Sequence, residues 1–256
     1  MLPKPVVFSV GLVHYLPIIT TAIAAVFCAQ LLRRYYLRRS SIFLLWWSAG
    51  VLTYGLGTAL ESTITLFGNS VALNKSWYIA GALFGAYPLA QGTVFLLLKP
   101  RVAVVLTVVT LPLVFVLSAL VVLSPVLPEA MENHRPSGAI LQWQWIRLMT
   151  PLVNLYAVGF LIGGAILSAL RYAAMRGPGD GSRAVGNSLI ACGAILPAIG
   201  GGMAKAGMVE ALYVAELVGL VLIWAGYLTC ARAPRLGPGP SKSAIVPNDH
   251  SFRSRG

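Results

Sequence analysis

The sequence predicts an all-α polytopic membrane protein, a bundle of seven transmembrane helices with its N-terminus outside and its C-terminus cytoplasmic. Three observations predict it. The chain is 57% apolar and 10% charged, where a soluble domain carries about 25% charged residues. Seven apolar runs each reach the length of about 20 residues that crosses the hydrocarbon layer. The basic residues gather in alternate connections between those runs, as the positive-inside rule requires.

The expected spans are 10–32, 41–66, 76–98, 102–124, 149–171, 184–206 and 209–231. The first is followed, not preceded, by its charge (Arg33, Arg34, Arg38 and Arg39) and has no small-residue cleavage site. The expected form is a retained helix rather than a signal peptide. The second carries leucines on one face and aromatic, hydroxyl and acidic groups on the other. The third opens on Trp77 and Tyr78 and holds a GxxxG pair, Gly81 and Gly85. A second such pair, Gly159 and Gly163, lies in the fifth span; both predict close helix crossings. In the sixth, Pro197 followed by Gly200, Gly201 and Gly202 predicts a kinked or loosened outer end, with a simple helix terminus there as the alternative.

The connection 125–148 is long for a helix bundle. Its Trp143 and Trp145 suit the interfacial aromatic belt, so the expected form is a segment lying on the membrane surface. A lid over an outward cavity is the alternative. The expected domains are a seven-helix unit, 1–233, and a disordered cytoplasmic tail, 234–256, rich in Pro, Gly and Ser.

With the N-terminus outside, 14 of the 19 Lys and Arg fall on the inner side. Lys4, Lys75, Arg135, Arg147 and Lys205 fall outside. The net charge of +12 therefore reflects membrane orientation rather than phosphate binding, and nucleic acid is excluded as a partner. The expected location is the plasma or inner membrane, with lipids as the immediate partners. Cys28, Cys192 and Cys230 are scattered, as are His14, His134 and His250. Neither a disulfide framework nor a metal or haem site is expected. The last span contains no lysine, which disfavours a retinal Schiff base; no cofactor is implied.

The chemistry concentrates on two glutamates. At 100° per residue Trp47, Tyr54, Thr58, Glu61 and Thr65 form one stripe of the second span, with Gly50 and Gly57 beside it. Leu45, Leu52, Leu56 and Leu60 form the opposite, lipid-directed face. On the seventh span Tyr213, Glu216, Gly219, Gly226, Tyr227 and Cys230 share a face opposite Val214, Val218, Val221 and Ala225. A charge at mid-membrane costs at least about 2.5 kcal/mol, so an intramembrane carboxylate is a functional hypothesis by default. Its structural alternative is a hydrated or hydrogen-bonded group near the interface.

The expectation is an outward-open polar pocket holding Glu61 and Glu216, neutralised by Lys205 or Arg147. His14, Tyr15, Tyr78 and Asn154 are expected at similar depth, while Glu210 sits at the mouth. Two carboxyl groups brought together out of water favour holding a proton or a cation. Pro88 and Gln91 are weaker candidates for the interior.

The run Trp47, Gly50, Tyr54, Gly57 and Glu61, followed by Trp77-Tyr78, resembles the seven-helix membrane input region of bacterial sensor histidine kinases. The resemblance covers about a fifth of the chain. It implies a sensory module that signals through a separate cytoplasmic partner or a homo-oligomer, since no kinase or other output domain is present in the sequence. The expected function is a sensory or small-ligand or lipid-binding module. The alternative is a secondary transporter or proton-coupled carrier using the intramembrane glutamates. No nucleophile, base or metal set is clustered, so an enzyme is disfavoured.

Overall fold

The computed structural model describes residues 12–38, 41–205 and 208–234. These residues are helical apart from the connections, the longest of which, 124–143, holds two isolated β-bridges, Val126 with Leu141 and Glu132 with Arg135. Seven helices are long and apolar enough to cross a membrane. They are α1 (Leu16–Arg38), α2 (Ile42–Phe67), α3 (Val71–Leu97), α4 (Pro100–Leu123), α5 (Gln144–Ala174), α6 (Asp180–Lys205) and α7 (Val209–Arg232). The expected tail beyond Pro234 and the beginning of the expected first span lie outside the described residues.

Several boundaries differ from hydropathy, for local reasons. α1 runs on through Arg33 and Arg34 to Arg38, because a long arginine side chain leaves the apolar layer while its backbone stays helical. Arg34 bonds the Tyr227 hydroxyl at 3.1 Å and stacks over its ring. α3 starts at Val71, five residues before the apolar run, because Ser70 caps it by accepting from the Leu73 amide. α4 starts at Pro100, which has no N–H to leave unpaired.

Neighbours along the chain are antiparallel, and α1 closes the ring against α7 through Gln30–Trp224 and Arg34–Tyr227. α3 is the central element, packing on α2, α4 and α5. α4 is peripheral, with a row of exposed valines from Val102 to Val122 that suits acyl chains. The expected lipid faces are exposed too: Leu45, Leu52 and Leu56 on α2, Val214, Val218 and Val221 on α7.

Gly81 of the first GxxxG pair falls in a π-helical turn, Tyr78–Leu83 of α3, with Gly85 in the bend just after it, and both glycines of the second pair fall in another, Val158–Gly163 of α5. Gly81 makes the expected crossing: a Cβ on Gly57 would stand 3.1 Å from its Cα. Gly159 meets nothing within 4 Å, so the second pair makes no such crossing. The tightest crossing lies elsewhere, between α6 and α7. There a Cβ on Gly193 would stand 2.5 Å from the Gly219 carbonyl oxygen, and one on Gly226 2.5 Å from that of Gly186. Gly200 meets Ala215 and Leu212 in the same way. Pro197 packs on Gly219, and α6 continues as an α-helix through Gly200–Gly202 to Lys205 instead of ending there.

The connection between α4 and α5 is a folded cap rather than a strand of chain lying loose at the surface. Leu127 bonds Ile140 and Gln142 bonds Pro125 through the backbone. Ile140, Leu141 and Ile146 are buried, and Gly138 seats on the Tyr78 ring. Lys75 donates to the Val122 and Ser124 carbonyls at the C-terminal end of α4, where a cation complements the helix dipole. Trp145 alone of the two tryptophans stays well exposed. The bundle therefore has a capped end, where α2 finishes and α7 begins, and a basic end carrying Arg33, Lys99, Arg101, Arg171, Arg176 and Arg232.

Candidate functional site

Glu61 lies six residues before the end of α2 and Glu216 seven after the start of α7. At 1.5 Å per residue both are about 10 Å below the capped end. Their carboxyl groups meet, each within hydrogen-bond reach of the other. Glu61 is 2% exposed. Glu216 as a residue is half-buried, but its Oε2 is fully buried with no hydrogen-bond partner among the described residues. The two glutamates thus belong to one site, not to two separate helix contacts.

The surrounding groups come from three directions. On α7, Tyr213 is buried and its ring carries the hydroxyl toward both glutamates and toward Thr65 on α2. On α2, the Tyr54 hydroxyl crosses to donate to the Glu216 backbone carbonyl at 3.0 Å. From the cap, His134 Nδ1 lies 3.1 Å from the Thr65 carbonyl, and Arg135 donates to the Ala204 carbonyl at the end of α6 at 2.7 Å. Asn69, just beyond α2, donates to the Glu132 and Arg135 carbonyls and ties the cap down. The expected open pocket is therefore roofed, with Glu61 and Thr65 buried beneath the cap.

Among the described residues the charge of the pair has no ion-pair partner; the ion pair present joins Arg183 to Asp180 at the basic end. Arg147, expected as a counter-ion, is exposed and donates to Gln144 instead. Arg135 is the cation that approaches, reaching the surroundings of Tyr213. The cap's fold, which aims Arg135, leaves no periodic trace in the sequence. The side chains of Lys205 and His14 lie outside the described set.

Other expected members go elsewhere. Thr58 is buried, but its hydroxyl pairs with Thr21 on α1 at 2.9 Å. Trp47 shares the stripe yet lies 14 residues from Glu61, about 21 Å down the helix. It packs against Tyr227 and Gly92 near the basic end, with its Nε1 buried and without a hydrogen-bond partner among the described residues. Asn154 is exposed on α5 and is not part of this site. Tyr15 is exposed. Tyr78 bonds Thr150 at 2.7 Å.

Gln91 is fully buried and anchors a second polar cluster. It donates to Thr107 and to the Ala103 carbonyl, and accepts from Tyr156; the Tyr87 hydroxyl pairs with Thr110 beside it. Every polar atom of Gln91 is engaged, so this cluster glues α3 to α4 and α5. The glutamate site differs in that Glu216 Oε2 is buried with no hydrogen-bond partner among the described residues. A carboxylate only accepts, and two unit charges 4 Å apart repel by about 4 kcal/mol at an effective dielectric of 20. Two touching carboxyl groups with no cation between them are held together when one supplies an O–H.

No family model matches this chain, and comparison with curated proteins and with solved structures finds no similar one.

Proposed function

We propose that this chain is a sensory or small-ligand-binding module of the cell membrane, with Glu61 and Glu216 as its input site. The observation that carries the reading is the carboxyl pair itself, meeting under the cap with no cationic partner among the described residues. With the N-terminus outside, the orientation that the positive-inside rule favours for this basic end, the pair would lie in the outer half of the bilayer with the cap facing the exterior. Buried carboxylates that are neither paired nor solvated are costly, and such groups mark functional sites.

A carrier would have to expose the pair to both sides in turn. Below it, toward the basic end, Val51, Phe27, Trp47, Leu220 and Ile223 are buried in one continuous core. That filled floor favours a sensor read through helix movement over a carrier with a through-path. The basic end then presents Arg33, Lys99, Arg101, Arg171 and Arg232, all exposed, to anionic lipid and to a signalling partner or second copy.

The test is a thermal-shift screen across pH and small ligands on the purified protein, wild type against Glu61→Gln. A ligand- or pH-dependent shift in wild type that is absent from the variant supports the reading. A melting temperature indifferent to both, or dependent on them equally in the variant, overturns it.

A further inference from the structure

We propose that the ligand of this site is a single proton shared by Glu61 and Glu216, and that its release drives α7, together with α6, away from α2 at the capped end. The inference rests on the site being the module's input. Its first support is contact: the two carboxyl groups meet where Glu61 is buried, and acceptor-only groups meet when an O–H lies between them. Its second is the placement of donors. The Tyr54 hydroxyl on α2 is committed to the Glu216 backbone carbonyl rather than to a carboxyl oxygen, and the Tyr213 hydroxyl on α7 is shared between the pair and Thr65. Arg135 is committed to the Ala204 carbonyl. Glu216 Oε2 is left buried with no donor among the described residues.

Among the described residues the charged and titratable groups facing the pair are few. α2 supplies Tyr54, α7 supplies Tyr213, and the cap supplies Arg135, with His134 one turn above at the Thr65 carbonyl. Glu210 is exposed at the mouth on α7. The turn before α1, which packs on α7, carries the exposed Tyr15 and His14, and α6 ends in Lys205; the side chains of His14 and Lys205 lie outside the described set. In the protonated state one carboxylic acid donates to the neighbouring carboxylate. On release the proton passes to water at the capped end, both groups carry a charge, and the hydrogen bond between them becomes a repulsion.

The packing decides what moves. α7 is locked to α6 by backbone contact at Gly186–Gly226, Gly193–Gly219 and Gly200–Leu212. α2 is locked to α3 at Gly57–Gly81 and Gly50–Leu89, and to α1 at Thr58–Thr21. Between α2 and α7 at this level the contacts are side-chain ones: Glu61 on Glu216, Thr65 beside Tyr213, and Tyr54 on the Glu216 carbonyl. At the basic end Arg34–Tyr227 and Gln30–Trp224 hold α7 to α1. Repulsion at the capped end therefore turns the α6–α7 pair about its basic end, breaking the Tyr54 and Arg135 bonds.

The experiment measures distances between spin labels in lipid nanodiscs across pH, with the three native cysteines replaced by alanine. One pair is Phe67→Cys on α2 with Val214→Cys on α7, both at exposed positions; the reference pair is Ile199→Cys on α6 with Val214→Cys. The expected result is an α2–α7 distance that lengthens in one step as pH rises, while the α6–α7 distance stays constant. The step disappears in Glu61→Gln and in Glu216→Gln. Infrared pH-difference spectra of the unlabelled wild type read the same proton without any variant, as loss of a protonated-carboxyl band. No distance step, a step that survives Glu216→Gln, or no such band overturns the proposal. A ligand-dependent thermal shift that still vanishes in Glu61→Gln would leave the input site standing and reject the proton alone.

Discussion

Replacing Gly193 by alanine tests the α6–α7 contact that makes these two helices one unit. The added Cβ would stand 2.5 Å from the Gly219 carbonyl oxygen and 2.9 Å from both the Ile223 nitrogen and Leu222 Cβ. Ordinary van der Waals contact begins near 3.4 Å, so the helices must separate by roughly 0.9 Å, the difference of those two distances. The obstacle is backbone, which cannot rotate away as a side chain would. Overpacking of this kind costs about 1–3 kcal/mol, offset by up to about 1 kcal/mol from alanine's better helix propensity. The net expectation is a loss of about 1–2 kcal/mol. Gly201 is the matched control on the same helix, because a Cβ there meets nothing within 4 Å. Gly201→Ala is expected to gain about 0.5–1 kcal/mol, from propensity alone. Reversible unfolding in mixed micelles, titrated with SDS, measures both. A Gly193→Ala protein as stable as wild type, or indistinguishable from Gly201→Ala, would refute the reasoning.

Two further predictions follow from the fold. Gln91→Leu strips three hydrogen bonds from the α3–α4–α5 junction, and at about 0.6 kcal/mol per interhelical bond in a membrane it should cost about 1–2 kcal/mol in the same unfolding assay. Unchanged stability would show that Tyr156 and Thr107 re-pair without it. For orientation, Glu132→Cys in the cap and Ser182→Cys at the basic end are both at exposed positions. In a cysteine-free background an impermeant maleimide should label the first in intact cells and the second only after permeabilisation; the reverse pattern would invert the topology.

Much of this architecture is written in hydropathy. Helix count follows from the energetic demand that each crossing segment be apolar and internally hydrogen-bonded, and that demand acts on every residue of a span. Facing follows too: the leucine row of α2 and the valine row of α7 are exposed, leaving Glu61 and Glu216 on the inward sides. The α6–α7 crossing also had a trace, the seven-residue spacing of Gly186, Gly193 and Gly200 against that of Gly219 and Gly226. It is a longer period than GxxxG, and one that keeps glycine on a single face. The GxxxG pairs misled in part because a π turn shifts the register by one residue, so Gly159 and Gly163 no longer share a packed face.

What helical periodicity cannot state is depth matching between helices and the path of an irregular connection. Trp47, Thr58 and Glu61 occupy one stripe, yet Trp47 meets Tyr227 and Thr58 meets Thr21, while Glu61 meets Glu216. A stripe specifies an angle around one axis, and three different neighbours stand along that angle at successive heights. Arg135 over the site and Arg147 turned to Gln144 were settled by the cap, whose bonds join residues far apart in the chain. Sequence alone determined that two carboxylates face inward within this bundle, because burying them toward lipid is too costly. Their meeting was decided by tertiary packing, in which the backbone crossings at Gly57 and Gly193 fix how far each helix is slid along its neighbour.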